Sequence, residues 1–353
     1  MRTLFSPLNQ ETFFCSGPAE PPSHFESSDS GPPPDRPGFE QPIQLSEEQA
    51  REALTNFVSE HCCYRKKPAQ ECVFEQIEPS YAYHYTLETY AERRETCWVS
   101  EPYDGQMIDG PMNGPAPPPW DTPIFNSIPP FQSGSVWCEV PHTASVKPCH
   151  DCVGMGRKPC SHCMSMGRVR CMHCNIHGHH HHHHCEEDGD PCSHCCGNGW
   201  VECHHCHGSG QVRCKMCKGR CQLKCFIKLT ATMTNHVEEF VLNKIPEGTL
   251  PDESVKKGDG LMILDEDYPR VWPIQPTFPE QQIVARSRQL VDRHSTAFPQ
   301  EFIHRQRQRL RSIPVWRVYC KYDGEEKQFY VYGMQNNKVY FPDYYAKCCC
   351  TLL

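Results

Sequence analysis

Twelve cysteines in the middle of the chain are spaced for metal binding. They form six C-x-x-C pairs, three in CHDCVGMGRKPCSHCMSMGRVRCMHC from residue 149 and three in CSHCCGNGWVECHHCHGSGQVRCKMC from residue 192. Within each stretch, a pair begins 11 residues after the previous one. A tight C-x-x-C turn gives two thiolates to one ion, and the glycines that follow let backbone N–H groups approach the sulfur atoms. Because a structural zinc site has four ligands, each ion requires two pairs.

The numbering of the cysteines favours one way of combining these pairs. The two stretches are mirror images about residue 183, so the outermost pair of one matches the outermost pair of the other. Facing residues of an antiparallel hairpin have this relation, because their residue numbers have a constant sum. We therefore predict a two-armed hairpin with about three zinc sites of four cysteine ligands each, and the alternative is an adjacent pairing of the first pair with the second. The predicted ligands, from the outer site inward, are Cys149, Cys152, Cys214 and Cys217; Cys160, Cys163, Cys203 and Cys206; and Cys171, Cys174, Cys192 and Cys195.

The histidine run His179–His184 lies where this hairpin reverses. Flexible neutral imidazoles bind zinc, nickel or copper loosely, and Cys185 beside them could add a thiolate to an auxiliary site. The other interpretation is a repeat tract at a loop tip, where changes in length are tolerated. Cys196, Cys221 and Cys225 fall outside the spacing and are predicted to be free thiols or small packed residues.

The composition favours metal binding over disulfides. Of 26 cysteines in 353 residues, 16 lie between Cys149 and Cys225. The N-terminus, MRTLFSPLNQETFF, lacks the apolar stretch of a signal peptide, and no window approaches the about 18 apolar residues of a membrane span. Cysteine-rich chains of this kind more often bind metal, so we expect a cytoplasmic and nuclear protein. Iron also suits tetrahedral sulfur sites, but the repeated hairpin spacing favours zinc.

The remainder of the chain predicts an α+β fold, in which a β-containing body carries the elongated hairpin as an insertion. Runs such as GPPPDRPG near the N-terminus cannot bury enough apolar surface to offset chain entropy. The predicted segments are 1–44, a disordered Pro-rich tail; 45–147, an α+β part of the body; 148–225, the zinc hairpin with its His-rich tip; 226–347, an α+β part of the body with a C-terminal β-meander; and 348–353, a Cys-rich tail.

Hydrophobic periodicity predicts the elements of the body. Ser46, followed three residues later by Gln49, predicts a capping box at the start of an amphipathic helix. YAYHYTLETY (81–90) predicts a strand that pairs with the following ETCWVSE, and 131–147 is again strand-like. FIKLTATMTNHVEEFVL (226–242) predicts two strands around a turn near Asn235. Helices are predicted near 280–293 and 300–311, followed by a meander with turns at Asp323-Gly324 and Asn336-Asn337.

Three of the cysteine pairs carry the full pattern C-x-x-C-x-G-x-G, namely CHDCVGMG (149–156), CSHCCGNG (192–199) and CHHCHGSG (203–210). The other three, CSHCMSMG, CMHCNIHG and CKMCKGRC, are degraded copies. The pattern resembles the cysteine-rich zinc domain of DnaJ-type co-chaperones, whose pairs combine outer with outer. This resemblance implies a hairpin that contacts protein clients. No His-Pro-Asp tripeptide occurs in the chain, so the resemblance does not include a J-domain.

The layout of the whole chain resembles the Ssu-two homologue family of animal proteins. The shared features are the capped helix, the tyrosine-rich strand, the central cysteine pairs, the C-terminal meander and the tail that ends in cysteines. This resemblance implies a cytoplasmic and nuclear protein with a developmental role in mineralised tissue such as tooth.

The predicted function is binding of protein clients or partner proteins by a non-enzymatic zinc module of the chaperone or adaptor type. No phosphate loop, nucleophile elbow, H-E-x-x-H or deaminase pattern is present. RNA binding is one alternative, although three zinc–thiolate sites would make the block from 149 to 225 net negative. Thiol–disulfide redox chemistry is another, and it needs thiolates free of metal. Apolar residues available to clients are Val153, Met155, Met164, Met166 and Trp200.

The C-terminal sequence KCCCTLL carries a lipidation pattern. Cys350 begins a C-a-a-X sequence whose terminal Leu353 favours geranylgeranyl, and Cys348 and Cys349 are sites for palmitoylation. Such lipids would anchor the protein to a membrane. Lys347 is the only nearby positive charge, and the alternative is an unmodified tail.

Overall fold

The computed structural model describes residues 12–22, 44–125, 128–173, 192–245, 250–335 and 337–345. Three groups of predicted functional residues lie outside these ranges. They are the ligand Cys174, the histidine run His179–His184 with Cys185, and the tail Cys348–Leu353. Within the described ranges, no helix is both long enough and apolar enough to span a membrane.

The fold is mixed α+β and is dominated by an antiparallel sheet. The helices are α1 (Glu47–Glu60), α2 (Lys66–Glu71), α3 (Asp252–Lys257) and α4 (Gln281–Thr296), and Pro111–Asn113 form a 3-10 turn. The strands are β1 (Thr12–Pro18), β2 (Val73–Pro102), β3 (Gly134–Glu139), β4 (Ser145–Pro148), β5 (Arg157–Pro159), β6 (Arg168–Arg170), β7 (Trp200–Glu202), β8 (Gln211–Arg213), β9 (Gln222–Asn243), β10 (Leu261–Tyr268), β11 (Phe302–Tyr322), β12 (Glu325–Tyr332) and β13 (Lys338–Tyr340).

The main sheet has the strand order β13-β12-β11-β2-β9-β3, with β1 paired to β2, β10 to β11 and β4 to β9. Two small sheets, β5–β8 and β6–β7, belong to the cysteine-rich insertion. The chain divides into two compact units. The cysteine unit comprises the described parts of Met1–Ala19, Arg94–Phe125 and Trp137–Thr230, and the helical unit comprises those of Glu20–Arg93, Asn126–Val136 and Ala231–Leu353.

In the helical unit, the predicted capping box of α1 is confirmed. The Ser46 hydroxyl accepts from the Gln49 backbone N–H at 3.1 Å, and the Gln49 side chain accepts from the Ser46 N–H at 2.9 Å. The apolar face of α1, including Leu54, packs against Trp316 and Phe329 of the C-terminal meander. The meander itself, β11–β12–β13, and the helix predicted near 280–293 are also confirmed.

Three element predictions are wrong. Residues 81–90 and the following ETCWVSE lie in the single strand β2 instead of forming a pair, and residues 226–242 lie within the single strand β9. The segment 300–311, predicted as a helix, begins β11, which pairs with β2 from Phe302↔Glu92 to Lys321↔Val73. Gln306 and Gln308 are buried there. Along this part of β11, buried residues alternate with half-buried ones, but the buried positions include polar side chains, so the sequence shows no apolar–polar alternation.

Strand β1 lies inside the segment for which composition predicts a disordered tail, and most of that segment is outside the described residues. It pairs with β2 in the cysteine unit, where a disulfide joins Cys15 to Cys97. No pattern in the sequence predicted this disulfide, which joins cysteines 82 residues apart. The predicted domain boundaries stay a prediction.

Candidate metal centre

The cysteine pairs lie on two antiparallel arms held in one register. The first arm contains the described pairs from Cys149 to Cys171, and the second arm contains those from Cys192 to Cys217. Partners such as Ser145↔Cys225 in β4–β9, Arg157↔Arg213 in β5–β8 and Arg168↔Glu202 in β6–β7 share one sum of residue numbers, which centres the backbone pairing on residue 185 and not on residue 183 as the cysteine spacing predicts. No register shift therefore occurs along the described part of the hairpin, and the nested order of the pairs follows from this pairing.

Eleven of the twelve predicted ligands come together in three clusters, in each of which all the sulfur atoms lie within 4.8 Å of one another. All eleven side chains are buried, and the twelfth, Cys174, is outside the described residues. The outer cluster is Cys149, Cys152, Cys214 and Cys217; the middle cluster is Cys160, Cys163, Cys203 and Cys206; and the inner cluster is Cys171, Cys192 and Cys195.

The distances between sulfur atoms fit a tetrahedral ion. Sγ of Cys149 and Cys214 are 3.8 Å apart, and those of Cys160 and Cys203 are 3.9 Å apart. The corresponding distance between Cys171 and Cys192 in the inner cluster is 3.9 Å. A zinc–sulfur bond of about 2.3 Å in a tetrahedron gives edges of about 3.8 Å, whereas a disulfide needs about 2.0 Å. The three clusters could therefore hold zinc without rearrangement.

After four of the described pairs, the backbone turns an N–H donor toward the second sulfur atom of the pair. After Cys152, the chain passes through left-handed conformations at Val153 (φ 49°) and Gly154 (φ 74°) and again at Gly156 (φ 74°). The Gly156 N–H then donates to Cys152 Sγ at 3.2 Å. Equivalent bonds of 3.2 to 3.3 Å run from Gly167 to Cys163, from Gly199 to Cys195 and from Gly210 to Cys206. Such donors stabilise a thiolate more than a thiol, which suits a metal-binding sulfur.

Two of the degraded copies, those that begin at Cys160 and Cys214, keep this left-handed conformation although each lacks one of the two glycines. Ser165 occupies the place of the first glycine with φ 67°, and Cys221 occupies the place of the second with φ 69°. The Cys221 carbonyl accepts from the Cys149 N–H at 2.8 Å, which links the two arms at the outer cluster. Cys221 therefore has a backbone role in the last turn. Of the other two described cysteines outside the spacing, Cys196 is exposed. Cys225 packs against the outer cluster, and its Sγ lies 3.2 Å from the hydroxyl of Ser100.

Burial and backbone donors give the thiols within a cluster different pKa values. Burial raises the pKa of Cys206 and of Cys214 to about 12. The backbone N–H of Cys163 lowers the pKa of Cys160 to about 7. Thiolates held this close repel one another, so a divalent cation is the charge that would allow all members of a cluster to ionise together.

The apolar residues singled out as client contacts differ in accessibility. Val153 and Met164 are 78% and 82% exposed, and Met155 and Met166 are exposed as well. Each of these four follows a cysteine pair closely, on the turn that carries the left-handed residues. Trp200 is half-buried, because the guanidinium groups of Arg168 and Arg170 lie 5.5 and 5.9 Å from its ring.

Sequence reasoning about the clusters missed the histidines inside the pairs. His162 of the first arm meets His204 and His205 of the second arm, with one ring nitrogen from each within 4.8 Å of the others. Partial desolvation, together with the His162 and His204 rings, lowers the pKa of His205. His173 and His194 stack across the arms with ring centroids 4.1 Å apart. The nested order indicated which cysteine pairs meet, but not which of the enclosed histidine rings come into contact, because that depends on side-chain directions across the arms.

Comparison with known proteins finds relatives along most of the chain. It is 41% identical over 311 residues to Protein SSUH2 homolog of Danio rerio, an alignment that covers 88% of this chain and 82% of the relative. It is 39% identical over 307 residues to Protein SSUH2 homolog of Homo sapiens, covering 87% and 79%. The Mus musculus homolog matches over 114 residues at 39% identity, covering 32% and 33%. No protein-family model and no solved structure matches the chain.

Proposed function

The chain belongs to the SSUH2 homolog family, and we propose that it is a non-enzymatic zinc protein whose cysteine hairpin contacts protein clients as a chaperone-like or adaptor module. The observation that carries this proposal is the combination of buried cysteine clusters with exposed apolar side chains on the turns beside them. Val153, Met155, Met164 and Met166 are 57% to 82% exposed, although they adjoin residues that are almost fully buried.

Zinc has a structural role in this proposal. Beyond the cysteines of the clusters themselves, the described apolar residues packed against the clusters are few and mostly only partly buried: Leu223, Met216, Cys225, Val169, Val212 and Val201. Burial of so little apolar surface does not offset the entropy lost when two arms are ordered. In small sites of this kind the free energy of metal binding supplies the stability of the fold.

The small sheets provide a second feature that suits extended clients. β5–β8 and β6–β7 contain two strands each, so each strand has an edge without a strand partner among the described residues. An extended peptide adds to such an edge through main-chain hydrogen bonds, and neighbouring apolar side chains contribute contact area. Met164 and Met166 lie just before β6, and their unbranched side chains adapt to clients of different shape.

RNA binding is the second candidate function, and one cleft favours it. A cleft of about 680 Å³ in the hairpin is lined by Arg157, Arg213, Lys218 and Arg220, with Arg157 directly opposite Arg213 in β5–β8. Like charges that face each other across strands are destabilising, and a bound phosphate would relieve the repulsion. Against this, Arg213 donates to the Lys218 carbonyl at 2.6 Å, and Arg220 forms an ion pair with Asp104 at 2.6 Å.

The experiment is suppression of the aggregation of a chemically denatured substrate protein, with zinc per chain measured first by native mass spectrometry. The double variant Met164→Ser/Met166→Ser should keep all its zinc and lose most of the suppression, because apolar contact area is removed without a cysteine. The matched control is Met107→Ser/Met112→Ser, which removes two methionines that are each 98% exposed but lie outside the hairpin.

Equal loss of aggregation suppression in both double variants, or no loss in either, would contradict client binding by the hairpin. Binding of single-stranded RNA that weakens steeply with salt and with Arg157→Gln would support the second candidate instead. Turnover in a disulfide-isomerisation assay by the zinc-loaded protein would support thiol–disulfide redox chemistry.

A further inference from the structure

The histidines between paired cysteines form a cluster distinct from the thiols. In five of the six pairs at least one of the two enclosed residues is histidine. At the middle cluster, the nested order brings three of these rings together, with centroid distances of 5.1 Å from His162 to His204, 4.5 Å from His162 to His205 and 4.4 Å from His204 to His205. One nitrogen from each ring lies within 4.8 Å of the other two.

We propose that His162, His204 and His205 form a second kind of metal site, which binds one divalent transition ion reversibly outside the cysteine clusters. Imidazole nitrogen is a ligand for Zn²⁺, Cu²⁺ and Ni²⁺, and three such nitrogens at this separation can reach one ion. The ligands come from both arms, so the site exists only when the arms are paired in the nested order.

The accessibility of the rings determines what kind of site this is. All three histidines are exposed, whereas all the cysteines of the middle cluster are buried. Three protein ligands leave a tetrahedral ion with an open position for water or for a side chain of another molecule, as in zinc sites that exchange ligands. The ion in this site should therefore exchange with solvent, while ions in the cysteine clusters should not.

Charge near the site favours a cation. Each of the three histidines lies within two residues of a cysteine of the middle cluster. A zinc ion with four thiolates carries a net double negative charge, which attracts a second cation to the adjacent surface. The stacked pair His173 and His194 differs, because its rings are nearly parallel at 14° and no third imidazole joins them among the described residues.

The test uses full-length protein in which His179–His184 are changed to glutamine, because that run would bind metal independently. After the cysteine clusters are loaded and loosely bound metal is dialysed away, Zn²⁺ is titrated by calorimetry. One further equivalent should bind. His162→Gln and His205→Gln should each weaken the binding of this zinc ion. The loss of affinity should be at least roughly 10- to 100-fold, which is the loss that follows removal of a hydrogen-bonding partner of a metal ligand. The control His207→Asn removes another exposed histidine of the same turn and should leave the affinity unchanged.

A second measurement needs no variant in the site. Carbethoxylation of histidines, read by peptide mass spectrometry with and without the added zinc, should show protection at His162, His204 and His205 but not at His207. Absence of a further equivalent, wild-type affinity in both glutamine variants, or equal labelling with and without zinc would each overturn the proposal. The zinc retained after dialysis reports on the cysteine clusters separately, so failure of this site and failure of the zinc fold give different results.

Discussion

Two glycines, one in each arm, are needed for close contact as well as for conformation. Gly167 has φ +72°, and a Cβ added there would lie 2.2 Å from the carbonyl oxygen of Gly208 on the opposite arm. At Gly210 the same addition would lie 2.3 Å from the Ser165 carbonyl oxygen. The closeness of the arms at the middle cluster therefore excludes any side chain at these two positions.

The variant Gly167→Ala should consequently lose the zinc of the middle cluster. The control is Gly105→Ala, where φ is +87° but nothing lies within 4 Å of the added Cβ. Both variants incur the cost of about 1 to 2 kcal/mol of a left-handed alanine, and only Gly167→Ala also forces the arms apart. Native mass spectrometry should find one zinc fewer per chain in Gly167→Ala and the full number in Gly105→Ala. The full number of zinc ions in both variants would show that the arms can move apart at Gly167 without loss of the middle zinc.

Much of the candidate site could be predicted at the residue scale from cysteine spacing alone. The mirror relation between the two stretches led to the nested order in which the structure groups eleven cysteines. The role of Cys221 could not be predicted in this way, because its contribution is a left-handed backbone and a carbonyl group and not a thiol. The meeting of His162 with His205 depends on side-chain directions across the arms, which spacing does not specify.

At the scale of elements, short-range patterns predicted helix α4 and the terminal meander but not the long strands. β2 is buried from Ala82 to Glu92 without interruption, so both of its faces are covered. The hydrophobic pattern of such a strand does not show where the strand begins or ends. In β11, the side chain of Gln308 donates to Glu266 at 2.6 Å and accepts from Tyr85 at 3.0 Å. Glutamines with such hydrogen-bonding partners can be buried, so a buried strand can have a polar sequence. A prediction from hydrophobicity alone treats such polar positions as exposed.

The contact of α4 with β2 predicts a pH dependence. His294 on α4 is fully buried, its Nδ1 lies 2.8 Å from the Thr89 hydroxyl, and burial lowers its pKa to about 4 from 6.5, with Arg293 and His236 adding to the effect. Below pH 6.5, His294 is protonated in the unfolded chain but stays neutral in the folded chain. The contribution of neutral His294 to the free energy of unfolding is therefore complete above pH 6.5 and is lost as the pH falls toward 4.

The variant His294→Asn, which preserves a hydrogen-bonding group near Thr89, should remove this dependence. Between pH 7 and pH 5 the free energy of unfolding should fall by about 2 kcal/mol more in the wild type than in the variant, at about 1.36 kcal/mol for each pKa unit. Urea denaturation at both pH values measures the difference, and zinc release by acid cancels because both proteins contain the same clusters. His61→Asn, at an exposed position after α1, should behave as the wild type. An equal fall in His294→Asn would contradict the assignment to His294.

At the scale of the whole molecule, the two units depend on different sources of stability. The helical unit contains large clusters of buried apolar side chains, such as those around Trp316, Phe329 and Leu290. The described part of the hairpin in the cysteine unit has mainly its sulfur clusters. Removal of metal should therefore affect the hairpin and spare the helical unit, because only the hairpin loses its main stabilising contact.

Hydrogen exchange with mass spectrometry tests this prediction when a strong zinc chelator is added. Peptides from the described parts of 149–217 should lose protection, whereas peptides from α1, α4 and β11 should exchange as before, because their protection comes from apolar burial that zinc does not influence. The chelator already saturated with zinc is the control, and it should change neither set. Simultaneous loss of protection in both sets would mean that the units unfold cooperatively and that the clusters stabilise the entire chain. Unchanged exchange in the hairpin would mean that its arms are held by backbone pairing such as that of Arg168 with Glu202, and the structural role proposed for zinc would be wrong.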